Sequence, residues 1–448
     1  MKTASNPDTR RTAAQMHALA AVRREIGPRD SASGRKYLRE FAQAFRRYDA
    51  VLSADQLNSK IAAADILLVG DYHALPASQR FAAALIERSA SARPVAMGLE
   101  AVLSRDQRIL DAWWRRESDE EELRRRLRFD RDWGYGWDPC YELLTSARDH
   151  GEGIYGLDCM PRDDMRRIGS RDRHAAAKIC EMREKHPNAA LLVLFGESHM
   201  APEHLPRALK ESLPAARILT VLQNVDALYW QAVGEQAAAV SIGDDAVCVF
   251  NSSPLEKYES YRLCFDKWNG AADDLPDFAP AVYNLIFSLA KSLGFRLDSP
   301  RNGTQPKFLA DSLPEVVSVR DGDTSGGEDV RTSLEERGCV YVPATNTFFI
   351  REFQTAQAAE EASRFLRHAC LGMKTQAGPL NLQVEDALAH FGSRLLCPAV
   401  GSETGPASKS GEALYQAYIA GRVTRAALRR IFLSRVEDSD RVQRILSL

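Results

Sequence analysis

Short apolar runs, separated by helix-length stretches, constrain this chain more than any other feature. Ile66–Val69 runs into Gly70, Val95–Leu99 into Glu100, Ile154–Leu157 into Asp158 and Ala190–Phe195 into Gly196; Arg217–Leu222 repeats the pattern. Runs this short, rich in Val, Leu and Ile and without polar alternation, suit strands buried on both faces of a parallel sheet. Helix-forming stretches separate them, Ser78–Arg88 after the first run and Asp172–Lys185 before the Ala190 run. The alternation predicts an α/β domain with a parallel sheet flanked by helices, and it disfavours an all-helical or all-β core.

Ionisable residues follow these runs directly. The first reads on as Gly70-Asp71-Tyr72-His73 and the fourth as Gly196-Glu197-Ser198-His199, two copies of Gly-x-x-His. Ligands of open α/β sheets bind outside the carboxyl ends of the strands. His73, Glu100, Asp158 and His199 are therefore expected to converge on one rim, with Tyr72 and Trp137 as wall residues. A single histidine at a strand end is more often structural than functional. Ionisable groups at consecutive strand ends shift the balance toward a site.

These motifs resemble those of the haem-uptake ChaN and Tiki superfamily, which includes the Tiki proteases and the erythromycin esterases. Shared marks are the paired Gly-x-x-His and an acidic residue after an intervening strand. The ChaN-like branch has a Gly-acidic-x-His motif with Gln six residues on, matched here by Gln79 after His73. Its Asn-x-Pro-Arg-like segment is approximated by Asp158-Cys159-Met160-Pro161-Arg162, which departs in its Asp and in an additional residue. The resemblance spans roughly Tyr37 to Asn224.

That resemblance implies two functions. One is a metal-dependent hydrolase of ester or amide bonds, acting on a small-molecule or peptide substrate. His73, Glu100 and His199 would hold Zn, Mn, Co or Fe, which lowers the pKa of bound water and polarises a carbonyl. Asp71, Glu197 or Asp158 would serve as general base or orient a histidine. A metal-free variant, in which a His–Glu pair activates water directly, resembles the esterase branch. The other function is haem or iron binding without hydrolysis, with Tyr72 as ligand and His73 in support.

The formal charge of −2 over 448 residues gives no global argument for nucleic acid. The eight cysteines lack Cys-x-x-Cys spacing, which reads as reduced thiols in a cytoplasmic protein. No apolar run has the length of a membrane span, and the amino terminus lacks the hydrophobic stretch of a signal peptide. Residues 1–36, with Arg10, Arg11, Arg23, Arg24 and Arg29, read as a polar basic arm. Residues 37–228 read as the α/β domain. Residues 229–448 read as a mostly helical domain of unknown function, with an amphipathic helix at Val282–Leu293, a hairpin at Val340–Ile350, a solvated loop at Asp321-Gly322-Asp323 and a helix from Thr355 capped by Gly372. The Trp133–Pro139 stretch, broken by glycines and a proline, reads as a loop, and His204 as solvent-exposed.

Overall fold

The structure is a computed structural model; it describes residues 12–27, 35–162, 168–232, 237–269, 276–295, 313–320, 327–371, 379–398 and 406–433. Arg10, Arg11, Arg29, Gly372 and the Asp321-Gly322-Asp323 loop lie outside the described residues. The chain divides into two compact units, one of residues 29–264 and one of residues 1–28 with 265–448.

The first unit is built on an eight-stranded sheet in the order β1-β7-β8-β6-β2-β5-β3-β4. The strands are β1 (Ala50–Leu52), β2 (Ile66–Asp71), β3 (Val95–Leu103), β4 (Gly153–Asp158), β5 (Ala190–Gly196), β6 (Ile218–Gln223), β7 (Ala239–Ile242) and β8 (Ala246–Val249). All the apolar runs read from sequence are strands, and they pair parallel: β6 with β2, β2 with β5, β5 with β3, and β3 with β4. Every residue of β2, β5 and β6 is buried, as strands covered on both faces must be. Helices flank the sheet; Pro76–Ala90 and Trp137–His150 bury Leu85, Ile86, Leu143 and Leu144 against Val69, Met97 and Leu192.

The unit runs past the expected limit at residue 228. β7 and β8 form an antiparallel hairpin that joins the same sheet, β8 pairing parallel with β6 and β7 antiparallel with β1. Both strands are only four residues long, too short for a periodic pattern to reveal. Trp133–Pro139 also differs from expectation. The helix Trp137–His150 starts inside it, with Pro139 in its first turn, where a missing backbone N–H breaks no helical hydrogen bond.

The second unit is mostly helical with a three-stranded sheet, order β10-β11-β9. β10 (Cys339–Val342) and β11 (Thr347–Ile350) are the expected hairpin; β9 (Glu315–Ser318) adds a parallel partner to β11. The amphipathic helix spans Ala279–Leu293, burying Val282, Leu285, Ile286, Leu289 and Leu293, and Gly294 closes it in the left-handed conformation. The amino-terminal arm is not simply solvated. Ala13–Ile26 is a helix with a Thr12–Gln15 capping box, and it buries Ala14, Ala18, Leu19 and Val22 beside helix Ala279–Leu293.

Candidate functional site

β2 and β5 are adjacent, with Asp71 opposite Gly196 in register, so the two Gly-x-x-His motifs leave the sheet side by side. β3 borders β5 on its other side, and its register with β4 shifts between Leu99 and Leu103. Glu100 lies in that irregular stretch. Irregularities of this kind re-aim side chains next to active sites.

Glu100 is the centre of the cluster. Its Oε2 lies 3.6 Å from His73 Nε2 and its Oε1 lies 3.9 Å from His199 Nε2. Each imidazole is held from behind by an aspartate: His73 Nδ1 lies 2.7 Å from Asp71 Oδ2, and His199 Nδ1 lies 2.5 Å from Asp172 Oδ1. Gln79 donates to Asp71 Oδ1 at 2.7 Å, which gives the Gln six residues past His73 a physical role. An aspartate on Nδ1 fixes the ring orientation and turns Nε2 toward the centre. The two dyads thus face one carboxylate from opposite oxygens.

Arg171 sets the charge balance. Its Nη2 donates to Glu100 Oε1 at 2.5 Å, and its Nε and Nη2 donate to Asp158 at 2.8 Å each. The Gly196 N–H donates to Glu100 Oε2 at 2.5 Å. Burial opposes ionisation of Glu100, but His73, His199, Arg171 and the Gly196 amide outweigh it and hold the carboxyl well below its ordinary 4.5. Burial likewise opposes protonation of His73; Glu100 and Asp71 outweigh it and raise its pKa above the ordinary 6.5.

Of the residues expected on one rim, His73, Glu100 and His199 come together, with Asp71 behind His73. Asp158 does not join them. It is fully buried beneath Glu100, where Arg171 and Arg162 saturate its oxygens. Arg162 also donates to the carbonyls of Glu100, Ala101 and Asp132, so the Pro-Arg segment buttresses the site. Glu197 faces away, both oxygens 2.9 Å from Lys257 Nζ. Tyr72 stacks under the same ammonium, which lies 4.5 Å from its ring centroid. Trp137 is a core residue packed on Phe129 and Tyr141. The aromatic wall beside His73 is instead Trp133 at 4.4 Å and Tyr135 at 5.2 Å between ring centroids. A cavity of about 10 Å³, room for about one water, opens there between His73, Asp71, Trp133, Cys140 and Leu194.

Sequence reading missed Arg171 and Asp172, although a signal existed. Helix Ile168–Lys185 buries Ile168, Ala175, Ala176, Ile179 and Met182 at helical spacing, and Arg171 and Asp172 fall on that same face. Charged residues on the apolar stripe of a helix need partners, and here the partners are the site.

Residues 57–190 match the family model described as haem-binding uptake, Tiki superfamily, ChaN. The chain carries a ChaN/Tiki-superfamily domain. A search of curated proteins finds no match. Two solved structures show distant likeness to it. A ChaN of Campylobacter jejuni with cofacially bound haem is 14% identical, with 40% of this chain and 89% of that one covered and a TM-score of 0.30. The type III effector HopBA1 is 13% identical, with 46% and 96% covered and a TM-score of 0.33. Likenesses this remote carry no functional weight.

The donor set of this ChaN/Tiki domain fits a metal poorly. Among the described residues no group of three or more His, Cys, Asp and Glu side chains is arranged to hold an ion. The imidazoles address different oxygens of Glu100, each oxygen already accepts an N–H, and a guanidinium stands where a cation would be repelled. Haem fits no better as the site stands. The cavity beside His73 is far smaller than a porphyrin, and Tyr72 is not among the residues lining it. Among the described residues no helix is long and apolar enough to cross a membrane.

Proposed function

We propose that the ChaN/Tiki domain is a hydrolase of ester or amide bonds that activates water with a His–Glu pair and no metal. The observation that carries this reading is the Asp71–His73–Glu100 geometry. His73 Nε2 and Glu100 Oε2 stand 3.6 Å apart, slightly too far for a direct bond, so a water can approach both from the side that Gly196 leaves free. A Cβ built on Gly196 would lie 3.0 Å from Glu100 Oε2 and 3.2 Å from His73 Nε2, so the glycine keeps that space open.

His73 Nε2 takes a proton from the water as its oxygen forms a bond to the substrate carbonyl carbon. The imidazolium is stabilised by Asp71 on Nδ1 and by Glu100. On collapse of the tetrahedral adduct it returns that proton to the leaving alcohol or amine. General acid–base catalysis of this kind contributes about 10²–10⁴-fold. Because Glu100 and Asp71 outweigh burial and raise the His73 pKa, the basic form needed to start the reaction becomes dominant at a higher pH than for an ordinary imidazole. Because the cavity holds only about one water, the scissile carbonyl approaches His73 from its exposed side, with the substrate resting on Trp133 and Tyr135.

The test is a panel of chromogenic esters and anilides assayed with chelator present. We expect turnover that survives chelation, kcat/KM that rises with pH through a midpoint above 6.5, and His73→Ala and Glu100→Gln variants that lose roughly 10²-fold or more. A second reading, haem binding, draws on the family description and on His73 being 20% exposed. Loss of turnover on chelation restored by a divalent ion, or no turnover together with a Soret band on adding haemin that His73→Ala abolishes, would overturn the metal-free hydrolase.

A further inference from the structure

His199 is 3% exposed and is absent from the lining of the cavity beside His73, yet it faces Glu100 with a hydrogen-bonded aspartate behind it. A group so placed exchanges protons only through other titratable atoms. Asp172 supplies them. Its Oδ1 holds His199 Nδ1, while its Oδ2 accepts the Tyr37 hydroxyl and lies 3.9 Å from His204 Nδ1. The Tyr37 and His204 rings lie 3.7 Å apart between centroids, which fixes the second imidazole in place. His204 Nε2 then lies 3.1 Å from Glu40 Oε2, and the Glu40 side chain is 41% exposed. His204, expected from sequence as a solvent-exposed residue, is half-buried between the site and the surface.

We propose that His199 exchanges its proton with solvent along this file, through Asp172, His204 and Glu40, and not through the cavity beside His73. The transfers balance. Carrying protons on both nitrogens, His199 gives Nδ1–H to Asp172 Oδ1 and stays neutral with Nε2–H; the resulting carboxyl turns, releasing the Tyr37 hydroxyl, and gives its proton to His204 Nδ1; His204 gives Nε2–H to Glu40 or to water. Each step moves one proton, and the Tyr37 hydrogen bond re-forms when the carboxylate turns back. The groups facing the file are Tyr37 and Glu40 from helix Arg35–Ala44, Asp172 from helix Ile168–Lys185, and Glu100 from β3. Burial first, then Asp172, pushes the Tyr37 hydroxyl far above its ordinary range, so it donates to Oδ2 without ionising. Burial lowers the His204 pKa, which keeps that ring neutral at neutral pH and able to receive on one nitrogen while giving from the other. His204 is thus a positioning residue that links the buried dyad to solvent. Its use rests on the acid–base reading above, in which the carboxylic acid product releases a proton beside the Glu100 cluster that needs an outlet.

The experiment needs no substrate. In the full chain labelled with ¹⁵N-histidine, the exchange of the His199 ring N–H with water is measured by NMR. His204→Phe keeps an aromatic ring on Tyr37 but carries no proton, and it should slow that exchange by roughly tenfold or more while the His73 signals stay in place. His204→Gln, read the same way, serves if the phenylalanine perturbs folding. Glu40→Gln should slow exchange less, because water can take the terminal proton. Unchanged exchange in both His204 variants overturns the proposal, as does acceleration by Trp133→Ala, which opens the cavity, when His204 variants are silent. A chain that hydrolyses nothing could still pass this test, and a hydrolase could fail it.

Discussion

Gly70 and Gly196 hold equivalent places in the two motifs, but their surroundings differ. An added Cβ at Gly70 would meet Glu197 and Met200 at 3.5 Å, an ordinary contact distance. At Gly196 it would enter the gap between Glu100 Oε2 and His73 Nε2, and the two groups that the site must hold apart would have to move. A positioning error of this size costs an acid–base centre about 10²-fold in rate. Gly196→Ala is therefore expected to fold, with a His73 ring resonance shifted in NMR spectra and turnover reduced by roughly that factor, while Gly70→Ala retains both. Equal effects of the two substitutions would show that the glycines serve strand geometry alone.

At the scale of elements, helix Ile168–Lys185 and the irregular stretch of β3 turn a sheet edge into a site. The helix brings Arg171 under two buried carboxylates, Glu100 and Asp158. Removing a buried partner leaves charge uncompensated, typically at a cost of about 3–5 kcal/mol. Arg171→Met should lower the unfolding free energy measured in denaturant by about that amount, and Asp158→Asn added to it should restore part of the loss, because one of the stranded carboxylates then becomes neutral. Additive losses in the double variant would mean that Asp158 is anchored chiefly by Arg162. The same elements explain what could be read in the sequence. Val95–Leu99 is legible as a strand because an apolar run needs no context. Its continuation to Leu103 is not, since Glu100 interrupts the run and is tolerated through partners distant in sequence, among them Arg171, a residue 71 positions away. His73 and His199 are legible because each follows its strand directly. Asp172 is not, since its role depends on which turn of a helix meets β5. The Trp133–Pro139 aromatics are legible as either core or pocket wall, but that Trp133 and Tyr135 rather than Trp137 face His73 is not, as glycine-rich segments carry no periodicity to orient a side chain.

At the scale of the whole molecule, the first unit closes only when the chain has passed β8 and entered helix Pro254–Asn269. Two consequences follow for a fragment ended at residue 228. It lacks the β7–β8 hairpin, so β6 loses the strand that pairs with Thr220 through Gln223 and presents an unpaired apolar edge. It also lacks Lys257, whose ammonium is buried against both oxygens of Glu197. Burial already raises the Glu197 pKa against the opposing pull of Lys257, so without the lysine the carboxyl either protonates or draws in water beside the second Gly-x-x-His motif. A fragment of residues 29–269 keeps the hairpin, the whole helix and that ion pair. It should unfold in a single cooperative transition with His73 and His199 resonances like those of the full chain, whereas residues 29–228 should aggregate or bind ANS as a loosely packed state. Lys257→Met in the longer fragment separates the two causes. If the hairpin matters most, the variant keeps its cooperative transition and loses only about 3–5 kcal/mol; if the ion pair matters most, it behaves like the short fragment. A short fragment that unfolds as cooperatively as the long one would return the domain boundary to residue 228.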